Sequence, residues 1–410
     1  MVIAEAVGIL PVFRKELSEE LSDILDYWMK HTQDQKHGGF IGSLDNENNI
    51  DSLAPKGVVL NSRILWTFSA AYRLMKKQEY LDMASRAYYY IVDHFIDRKY
   101  GGVYWSVDKD GSPLDARKQI YGLAFCIYGL AEYYKASDDR IALYLAKDLF
   151  EKIEGYSYDK LKGGYLEAFT QGWKPLDDMR LSDKDDNEKK TMNTHLHIIE
   201  AYANLATVCP DKRIKERIRQ LLEVFGQYII DPETSHLHLF MDENWNVRSS
   251  LISYGHDIEA AWLLPESAAI LNDEENLHRF NELSIELANA AAEGLDTDGG
   301  LWYEYDPASG HLVKEKHSWP QAEAMVGFFN AYQLTGDEKY LDHSLNSWEF
   351  IKRHIKDNDK GEWFWGVRDD YSTLNKEKAG FWKCPYHNSR ACMELIKRIQ
   401  GPDHLNTRIP

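Results

Sequence analysis

The sequence predicts an all-α fold: an (α/α)6 barrel of six helical-hairpin repeats with short β-like turns at one end. Three observations support this. A glycine- and aromatic-rich segment recurs along the chain, helix-forming stretches precede and follow it, and polar or aromatic residues recur where each second helix begins. Length alone would suggest two or three domains, but similar repeats along the whole chain favour one barrel domain over residues 1–410.

The recurring segment marks the turn of each repeat. Its glycine-containing copies are HGGFIG from His37, YGGVYW from Tyr100, KGGYLEAF from Lys162, DGGLWYEY from Asp298 and KGEWFWGV from Lys360. A degenerate copy without glycine, SHLHLF, begins at Ser235. Successive copies lie about 63, 62, 73, 63 and 62 residues apart. Six copies at one period indicate a repeat architecture.

Helix-forming stretches flank each copy. Residues 81–97 and 345–357 precede two of the turns, and residues 121–137 and 319–334 follow two of them. Apolar residues in these stretches recur three and four apart, which is the helical pattern. Six such units give twelve helices, and closing them into a ring hides faces that an open array would expose. The alternative arrangement is an open helical solenoid.

The third repeat is about ten residues longer than the others. The extra length lies within residues 172–190, GWKPLDDMRLSDKDDNEKK, which are rich in charge and in turn-forming residues. The segment comes just before a predicted inner helix. It is therefore either a lid over one end of the barrel or a solvated surface loop.

Composition excludes several classes of partner. The formal net charge is -18, whereas nucleic acids and anionic membranes require a concentrated basic surface. The four cysteines form no CxxC pair, and the N-terminus lacks the features of a signal peptide. No stretch is long and apolar enough to suggest a membrane span. We therefore expect a cytoplasmic protein that binds neither nucleic acid nor membrane.

Residues of catalytic type recur at the start of the second helix in every repeat. In a closed barrel, equivalent positions converge at one end of the axis, so these side chains are expected to form one site. His195 lies two residues from His197 and is expected to face the packing side instead. The candidate residues are Arg63, Tyr121, Asn193, His197, His256, Glu259, Trp262, Trp319, Glu323, Trp382 and His387.

These positions lie in segments that resemble the N-acylglucosamine 2-epimerase superfamily, and within it the branch that acts on β-1,4-linked disaccharides. The segments are NSRILWTFSAAYR, MNTHLHIIEAY, YGHDIEAAWLL, WPQAEAMVG and FWKCPYHNSRACMEL, spread from residue 61 to residue 396. The resemblance implies a single catalytic barrel that converts the reducing-end glucose of cellobiose or lactose into mannose.

The resemblance also assigns roles. His256 and His387 are the acid–base pair, and His197 and Arg63 complete the catalytic set. The residues expected to surround the sugar are Tyr121, Asn193, Glu259, Trp262, Trp319, Glu323 and Trp382.

The implied chemistry explains these residue types. Ring opening exposes an aldehyde, a base removes the C2 proton, and a proton returns to the opposite face of the enediolate. Imidazole suits both proton transfers because its unperturbed pKa, about 6.5, lies near working pH. Arg63 would stabilise the enediolate oxygen, Glu259 would orient and charge His256, and His197 would open the ring or bind a hydroxyl.

Several alternatives remain at this stage. The substrate could be a monosaccharide, as for an N-acylglucosamine epimerase or an aldose–ketose isomerase. A glycoside hydrolase would use Glu259 and Glu323, and a non-catalytic protein would bind glycans through its aromatic residues. His197, His256 and His387 could in principle hold a metal, but HExxH and nucleotide-binding glycine motifs are missing. We expect no cofactor, no metal, a small-molecule oligosaccharide substrate, and a monomer or weak homodimer.

Overall fold

The computed structural model describes residues 2–400, and these residues form twelve α-helices. The helices are α1 (Val2–His31), α2 (Val58–Met75), α3 (Gln78–Tyr90), α4 (Ile120–Ser137), α5 (Arg140–Lys152), α6 (Met192–Ala206), α7 (Lys212–Val224), α8 (Tyr254–Ala269), α9 (Glu274–Ala292), α10 (Ser318–Thr335), α11 (Glu338–Phe350) and α12 (Tyr386–Gln400). Four of them, α3, α5, α7 and α11, continue into a π-helical turn at Ile91–Phe95, Ile153–Ser157, Phe225–Ile229 and Ile351–Ile355.

The helices form two concentric rings. The even-numbered helices pack side by side as the inner ring, and α12 contacts α2, which closes it. The odd-numbered helices pack outside them, with α1 against α12 and each later one against the inner helix that precedes it. The prediction of a closed (α/α)6 barrel is therefore confirmed, and the open solenoid is wrong.

Short links join each inner helix to the outer helix that follows. Several of these links begin with a left-handed residue after the inner helix, and several end with an aspartate that accepts backbone N–H groups of the next helix. The left-handed residues are Lys76, Asp138 and Gly336, and the capping aspartates are Asp139, Asp211, Asp273 and Asp337.

The longer connections carry short antiparallel strands at the other end of the barrel. The strands are β1 (Lys56–Gly57), β2 (Ser106–Val107), β3 (Pro113–Asp115), β4 (Lys118–Gln119), β5 (Ala168–Phe169), β6 (Lys190–Thr191), β7 (Phe240–Met241), β8 (Ile252–Ser253), β9 (Glu304–Asp306), β10 (His311–Val313), β11 (Lys316–His317) and β12 (Gly366–Val367). They pair as β1-β2-β3, β4-β5, β6-β7, β8-β9-β10 and β11-β12.

These pairings tie each repeat to the next. A strand that leads directly into an inner helix pairs with a strand of the following connection, and the bridge between Leu44 and Ala379 joins the first connection to the last. The N-terminal ends of the inner helices therefore lie together at the strand-bearing end of the barrel.

Buried lysine–aspartate pairs fix the turn in five of the six repeats. In each pair the lysine lies in the segment that leads directly into an inner helix, and the aspartate is the first residue of the glycine-containing turn. The pairs and their N–O distances are Lys56–Asp34 (2.7 Å), Lys118–Asp97 (2.7 Å), Lys190–Asp159 (2.9 Å), Lys316–Asp296 (2.7 Å) and Lys378–Asp357 (2.5 Å). The degenerate fourth repeat has Ile252 at the lysine position, yet Ser235 adopts the left-handed conformation (φ 61°) and its N–H donates to the Asp231 carbonyl, as in the other copies.

Within the described residues, no helix has both the length and the apolar character that a bilayer crossing requires.

Candidate active site

A cavity of about 690 Å³ opens at the strand-bearing end of the barrel. Its walls include the first turns of the inner helices, so the predicted convergence of equivalent positions occurs. Two predicted residues, Trp262 and Glu323, do not line it but lie buried one layer deeper. The predicted residues that line the cavity are Arg63, Tyr121, Asn193, His197, His256, Glu259, Trp319, Trp382 and His387.

The long third connection covers part of this cavity. Most residues from Met179 to Glu188 line it, and the Gln119 amide anchors the segment by donating to the carbonyls of Met179 and Arg180. Lys184 Nζ donates to the Tyr303 hydroxyl and lies 3.3 Å from Glu304 Oε1 on the fifth repeat. Of the two interpretations from sequence, the geometry therefore favours the lid.

His387 is bound to a carboxylate on the neighbouring inner helix. Its Nδ1 lies 2.6 Å from Glu323 Oε1, while Nε2 has no hydrogen-bond partner among the described residues. Burial lowers the pKa of His387 well below its ordinary value, and the nearby guanidinium groups of Arg63 and Arg390 lower it further. The ring is therefore neutral, with Nε2 available towards the cavity.

His256 has a different partner from the one expected. Its Nδ1 lies 2.8 Å from the Ser253 hydroxyl, three residues earlier, whereas Glu259 accepts from Arg390. The expectation that Glu259 orients His256 is therefore wrong, although the two share a helix face. Burial lowers the pKa of His256 well below its ordinary value, and the charge of Lys184 adds to this effect.

Trp319 packs against both of these histidines. Its ring centroid is 4.7 Å from that of His256 and 5.6 Å from that of His387. The indole therefore gives the cavity an apolar surface beside both imidazoles.

His197 is bound to a carboxylate on its own helix. Its Nδ1 lies 2.9 Å from Glu200 Oε2, one turn further along α6. Burial lowers the pKa of His197, and hydrogen bonding to Glu200 opposes this. His195 points away: its Nε2 accepts from the Tyr165 N–H at 2.9 Å and its Nδ1 contacts the Thr191 carbonyl, so the prediction that it faces the packing side is confirmed.

A layer of buried charges lies beneath the three histidines. Arg390 donates to Glu200, to Glu259 at 2.6 Å and to Glu323 at 2.7 Å. Trp262 Nε1 donates to the second oxygen of Glu323 at 3.0 Å, and the guanidinium of Arg390 lies over the Trp262 ring at 4.8 Å. Trp262 and Glu323 thus support the cavity from below.

The three carboxylates around Arg390 differ in their hydrogen-bond donors and in their pKa. Glu200 and Glu323 each accept from three donors, whereas Glu259 accepts from Arg390 alone. Burial and the neighbouring Glu323 charge raise the pKa of Glu259 to about 8. Burial would also raise the pKa of Glu200, but Arg390 and His197 outweigh it and bring that pKa to about 2. Burial also raises the pKa of Glu323, so a proton bound by this cluster lies on the Glu259–Glu323 pair rather than on Glu200.

Arg63 supplies a second guanidinium at the cavity wall. It donates to the Tyr121 hydroxyl at 2.8 Å and lies over the Phe125 ring at 4.2 Å. In the described part of the chain no ion pair joins it to a carboxylate. Its charge therefore remains available to an anion that forms in the cavity.

Aromatic rings form the remaining wall. Trp382 packs against Tyr121 and Trp105, with ring centroids 5.8 Å apart in both cases. Asn193 also lines the cavity, and its buried Oδ1 has no hydrogen-bond partner in the part of the chain that the structure describes. These groups provide flat faces and an unused acceptor of the kind that bind sugar rings.

One group of side chains among the described residues is close enough to share a cation. Atoms of Glu259, Glu323 and His387 lie within 4.8 Å of one another. The guanidinium of Arg390 already donates to both carboxylates, so a metal ion would have to displace it. The three histidines proposed from sequence as a metal set do not form such a group.

Sequence reasoning missed several residues of the site. Glu200 and Arg390 lie three residues after His197 and His387, so helical spacing could have identified them. Ser253 lies three residues before His256 and could have been identified in the same way. The outer part of the cavity adds Tyr303, His317, Trp365 and Lys376, which lie in or beside the β-bearing connections.

Comparison with known proteins agrees with this site. The family model of N-acylglucosamine 2-epimerase (GlcNAc 2-epimerase) matches residues 39–391. The chain is 49% identical over 388 residues to a cellobiose 2-epimerase of Bacteroides fragilis, covering 94% of this chain and 99% of that one. It is 42% identical over 386 residues to a cellobiose 2-epimerase of Ruminococcus albus, covering 93% and 98%.

A solved structure shares the whole barrel. The cellobiose 2-epimerase from Bacillus thermoamylovorans B4167 superposes with a TM-score of 0.91 at 38% identity, covering 95% of this chain and all of that one. The chain therefore belongs to the N-acylglucosamine 2-epimerase family, and within it groups with the cellobiose 2-epimerases.

Proposed function

We propose that this protein is a cellobiose 2-epimerase, which interconverts glucose and mannose at the reducing end of β-1,4-linked disaccharides such as cellobiose and lactose. The observation that carries the proposal is the pair of imidazoles, His256 and His387, which both contact the Trp319 ring at the cavity wall. Each ring is bound at Nδ1 and has no partner at Nε2 within residues 2–400, so each can exchange a proton with a sugar held against the indole.

His387 is the better defined of the two acid–base groups. Glu323 accepts from Nδ1–H, which leaves the lone pair on Nε2 to take the C2 proton of the open-chain aldose. His256 then serves the opposite face, with Ser253 fixing the orientation of its ring. In the reverse direction the two exchange roles, because epimerisation is reversible at C2.

Arg63 stabilises the intermediate. Loss of the C2 proton places negative charge on O1 of the enediolate, and Arg63 is a permanent cation with no carboxylate partner in the cavity wall. Glu259 lines the same cavity, and in its neutral form, which burial favours, it can donate to a sugar hydroxyl. Trp319 and Trp382 stack on the sugar rings, and Tyr121 and Asn193 bind hydroxyl groups.

The shape of the cavity favours a disaccharide over a monosaccharide. A volume of about 690 Å³ accommodates two hexose rings, and its outer part is lined by further aromatic side chains. The hydrolase alternative needs two carboxylates facing the glycosidic bond. Glu323 does not line the cavity and is bound to His387, Arg390 and Trp262, so it is unsuited to that role.

The cellular compartment, the cofactor requirement and the oligomeric state are also part of the proposal. The four cysteines are buried and unpaired, in keeping with a reduced cytoplasmic protein. Arg390 and Arg63 supply the positive charge of the site, so we propose that the enzyme needs neither metal nor cofactor. We propose that it acts as a monomer or weak homodimer on a small-molecule oligosaccharide.

Proton NMR of the enzyme with cellobiose in heavy water, without added metal, tests the function. We expect deuterium at C2 of the reducing unit together with accumulating glucosyl-mannose, and neither in His387→Asn. Absence of both with the native enzyme would contradict the proposal. Release of free glucose would instead identify a hydrolase, and turnover of N-acetylmannosamine or mannose alone would identify a monosaccharide enzyme.

A further inference from the structure

Two of the three cavity histidines, but not the third, are backed by a carboxylate. Glu200 accepts from Nδ1 of His197, and Glu323 accepts from Nδ1 of His387. His256 has only the Ser253 hydroxyl. Arg390 donates to both carboxylates, so the two imidazole–carboxylate pairs are joined through one guanidinium.

Glu200 acts on His197 from outside the cavity. It does not line the cavity, and its side chain is 4% exposed. Its other oxygen accepts from the Tyr386 hydroxyl and from Arg390, so the carboxylate is held by donors from α12 as well as from α6. An ionised carboxylate can only accept hydrogen bonds, and therefore the proton of the neutral His197 ring lies on Nδ1.

This arrangement determines what His197 can do. With Nδ1–H directed to Glu200, the lone pair lies on Nε2, which has no partner among the described residues while the ring lines the cavity. The charged groups nearest the ring are Glu200, Arg63 and Arg390, and Tyr121 packs edge-on with ring centroids 5.0 Å apart. His197 is therefore a neutral proton acceptor.

The proposed reaction has a step that suits this acceptor. Before C2 can lose its proton, the C1–O5 bond must break. O1 then loses a proton as the C1–O1 double bond forms, and O5 gains one. A group other than His387 that takes the O1 proton can return it to O5 as an imidazolium, and His387 then stays neutral and in place for the C2 proton.

We propose that Glu200 is a positioning residue for ring opening, which holds His197 so that Nε2 takes the proton of the anomeric hydroxyl, while the His387–Glu323 pair serves C2. This inference rests on the proposed function, because it requires a reducing sugar in the cavity.

Catalysed exchange between the α and β anomers of cellobiose measures ring opening separately from epimerisation. The His387→Asn variant cannot exchange the C2 proton, so its effect on anomer exchange, followed by NMR magnetisation transfer, reports ring opening alone. We expect this variant to accelerate anomer exchange above the buffer rate. An H387N enzyme without any acceleration would overturn the assignment of ring opening to His197.

The decisive comparison introduces Glu200→Gln into the His387→Asn variant. An amide at this position can donate to Nδ1 and moves the ring proton to Nε2, so the enzyme-catalysed rate should fall on the order of 10²-fold or more. The matched control is Glu132→Gln, since Glu132 is also 4% exposed, lies on inner helix α4, pairs with Arg73 and does not line the cavity. Equal rates in H387N and H387N/E200Q would overturn the proposal and leave the proposed epimerase activity intact.

A second measurement does not depend on the folding of a variant. Nitrogen-15 chemical shifts of the His197 ring in the native enzyme report which nitrogen carries the proton. We expect a protonated Nδ1 and an unprotonated Nε2 at neutral pH. A protonated Nε2 would contradict the role of Glu200 whether or not the enzyme epimerises cellobiose.

Discussion

Nδ1 of His387 and Oε1 of Glu323 lie 2.6 Å apart, on two adjacent inner helices of the barrel. Glu323 also accepts from Arg390 on the same oxygen and from Trp262 on the other. Burial raises the pKa of Glu323, and its bonds from Arg390 and Trp262 oppose this effect. The oxygen that faces Nδ1 of His387 already accepts from Arg390, so His387 is the donor in this pair and its proton lies on Nδ1. The basicity of the proposed C2 acid–base group is thus controlled by a residue that does not line the cavity.

Replacing Glu323 by Gln should therefore impair chemistry more than binding. The amide can donate to Nδ1 and place the ring proton on Nε2, so we expect kcat for C2 deuterium exchange to fall on the order of 10²- to 10⁴-fold, with a much smaller change in KM. Trp262→Phe is the control, because it removes one donor to Glu323 and leaves the His387 contact in place. A rise in KM at unchanged kcat would show that Glu323 contributes to binding instead.

The buried Glu259 should make the stability of the fold depend on pH. Burial and the charge of Glu323 raise its folded-state pKa to about 8, well above its ordinary value of 4.5. A carboxyl group with a raised folded pKa stabilises the protein below its unfolded pKa, and this contribution is lost as pH rises towards about 8. We expect the free energy of unfolding to decrease across this range, and Glu259→Gln to reduce the decrease when urea denaturation is followed at several pH values.

A second buried carboxyl group provides the comparison. Burial also raises the pKa of Glu167 to about 8, and its carboxylate accepts from Thr191 and Thr194 rather than from Arg390. Glu167→Gln should therefore remove a separate share of the pH dependence, and the two effects should add. An unchanged pH profile in Glu259→Gln would show that Glu259 is ionised in the native state.

Much of the fold could be predicted because a glycine- and aromatic-rich segment recurs in the sequence at a period near 63 residues. Equivalent positions in a closed ring must converge, and this geometric argument placed Arg63, His197, His256 and His387 at one cavity before any side chain was known. The degenerate copy at Ser235 also forms the expected turn.

The sequence pattern could not show how deep along the barrel axis a side chain lies, or which side chains of different helices contact each other. Helical spacing places His256 and Glu259 on one face, but it does not reveal that Arg390 of α12 binds Glu259. The same limit applies to Trp262, which lies three residues after the cavity-lining Glu259 and yet lies one layer below the cavity. These pairings arise only when α8, α10 and α12 pack together.

The lysine–aspartate pairs should contribute strongly to stability. Lys118 and Asp97 are both fully buried and 2.7 Å apart, so Lys118→Met leaves an uncompensated charge. Breaking such a pair costs about 3–5 kcal/mol, whereas removing both charges costs less. We expect urea denaturation to show that loss for Lys118→Met and a smaller one for the Lys118→Met/Asp97→Asn double variant. Equal losses would indicate that the aspartate stabilises the turn without the lysine.

The contact between Lys184 and the fifth repeat should hold the lid over the cavity. Lys184 reaches Tyr303 and Glu304 across the opening, while Lys189 on the same segment pairs with Glu243 outside the cavity at 3.5 Å. A partly exposed ion pair contributes about 0.2–1 kcal/mol, so Lys184→Ala should raise KM for cellobiose by up to about 5-fold. It should also speed amide hydrogen exchange in residues 179–188, because the anchors at Gln119 hold only the first two of these residues. Lys189→Ala should change neither quantity, and equal effects of the two variants would show that the segment responds to its net charge rather than to this contact.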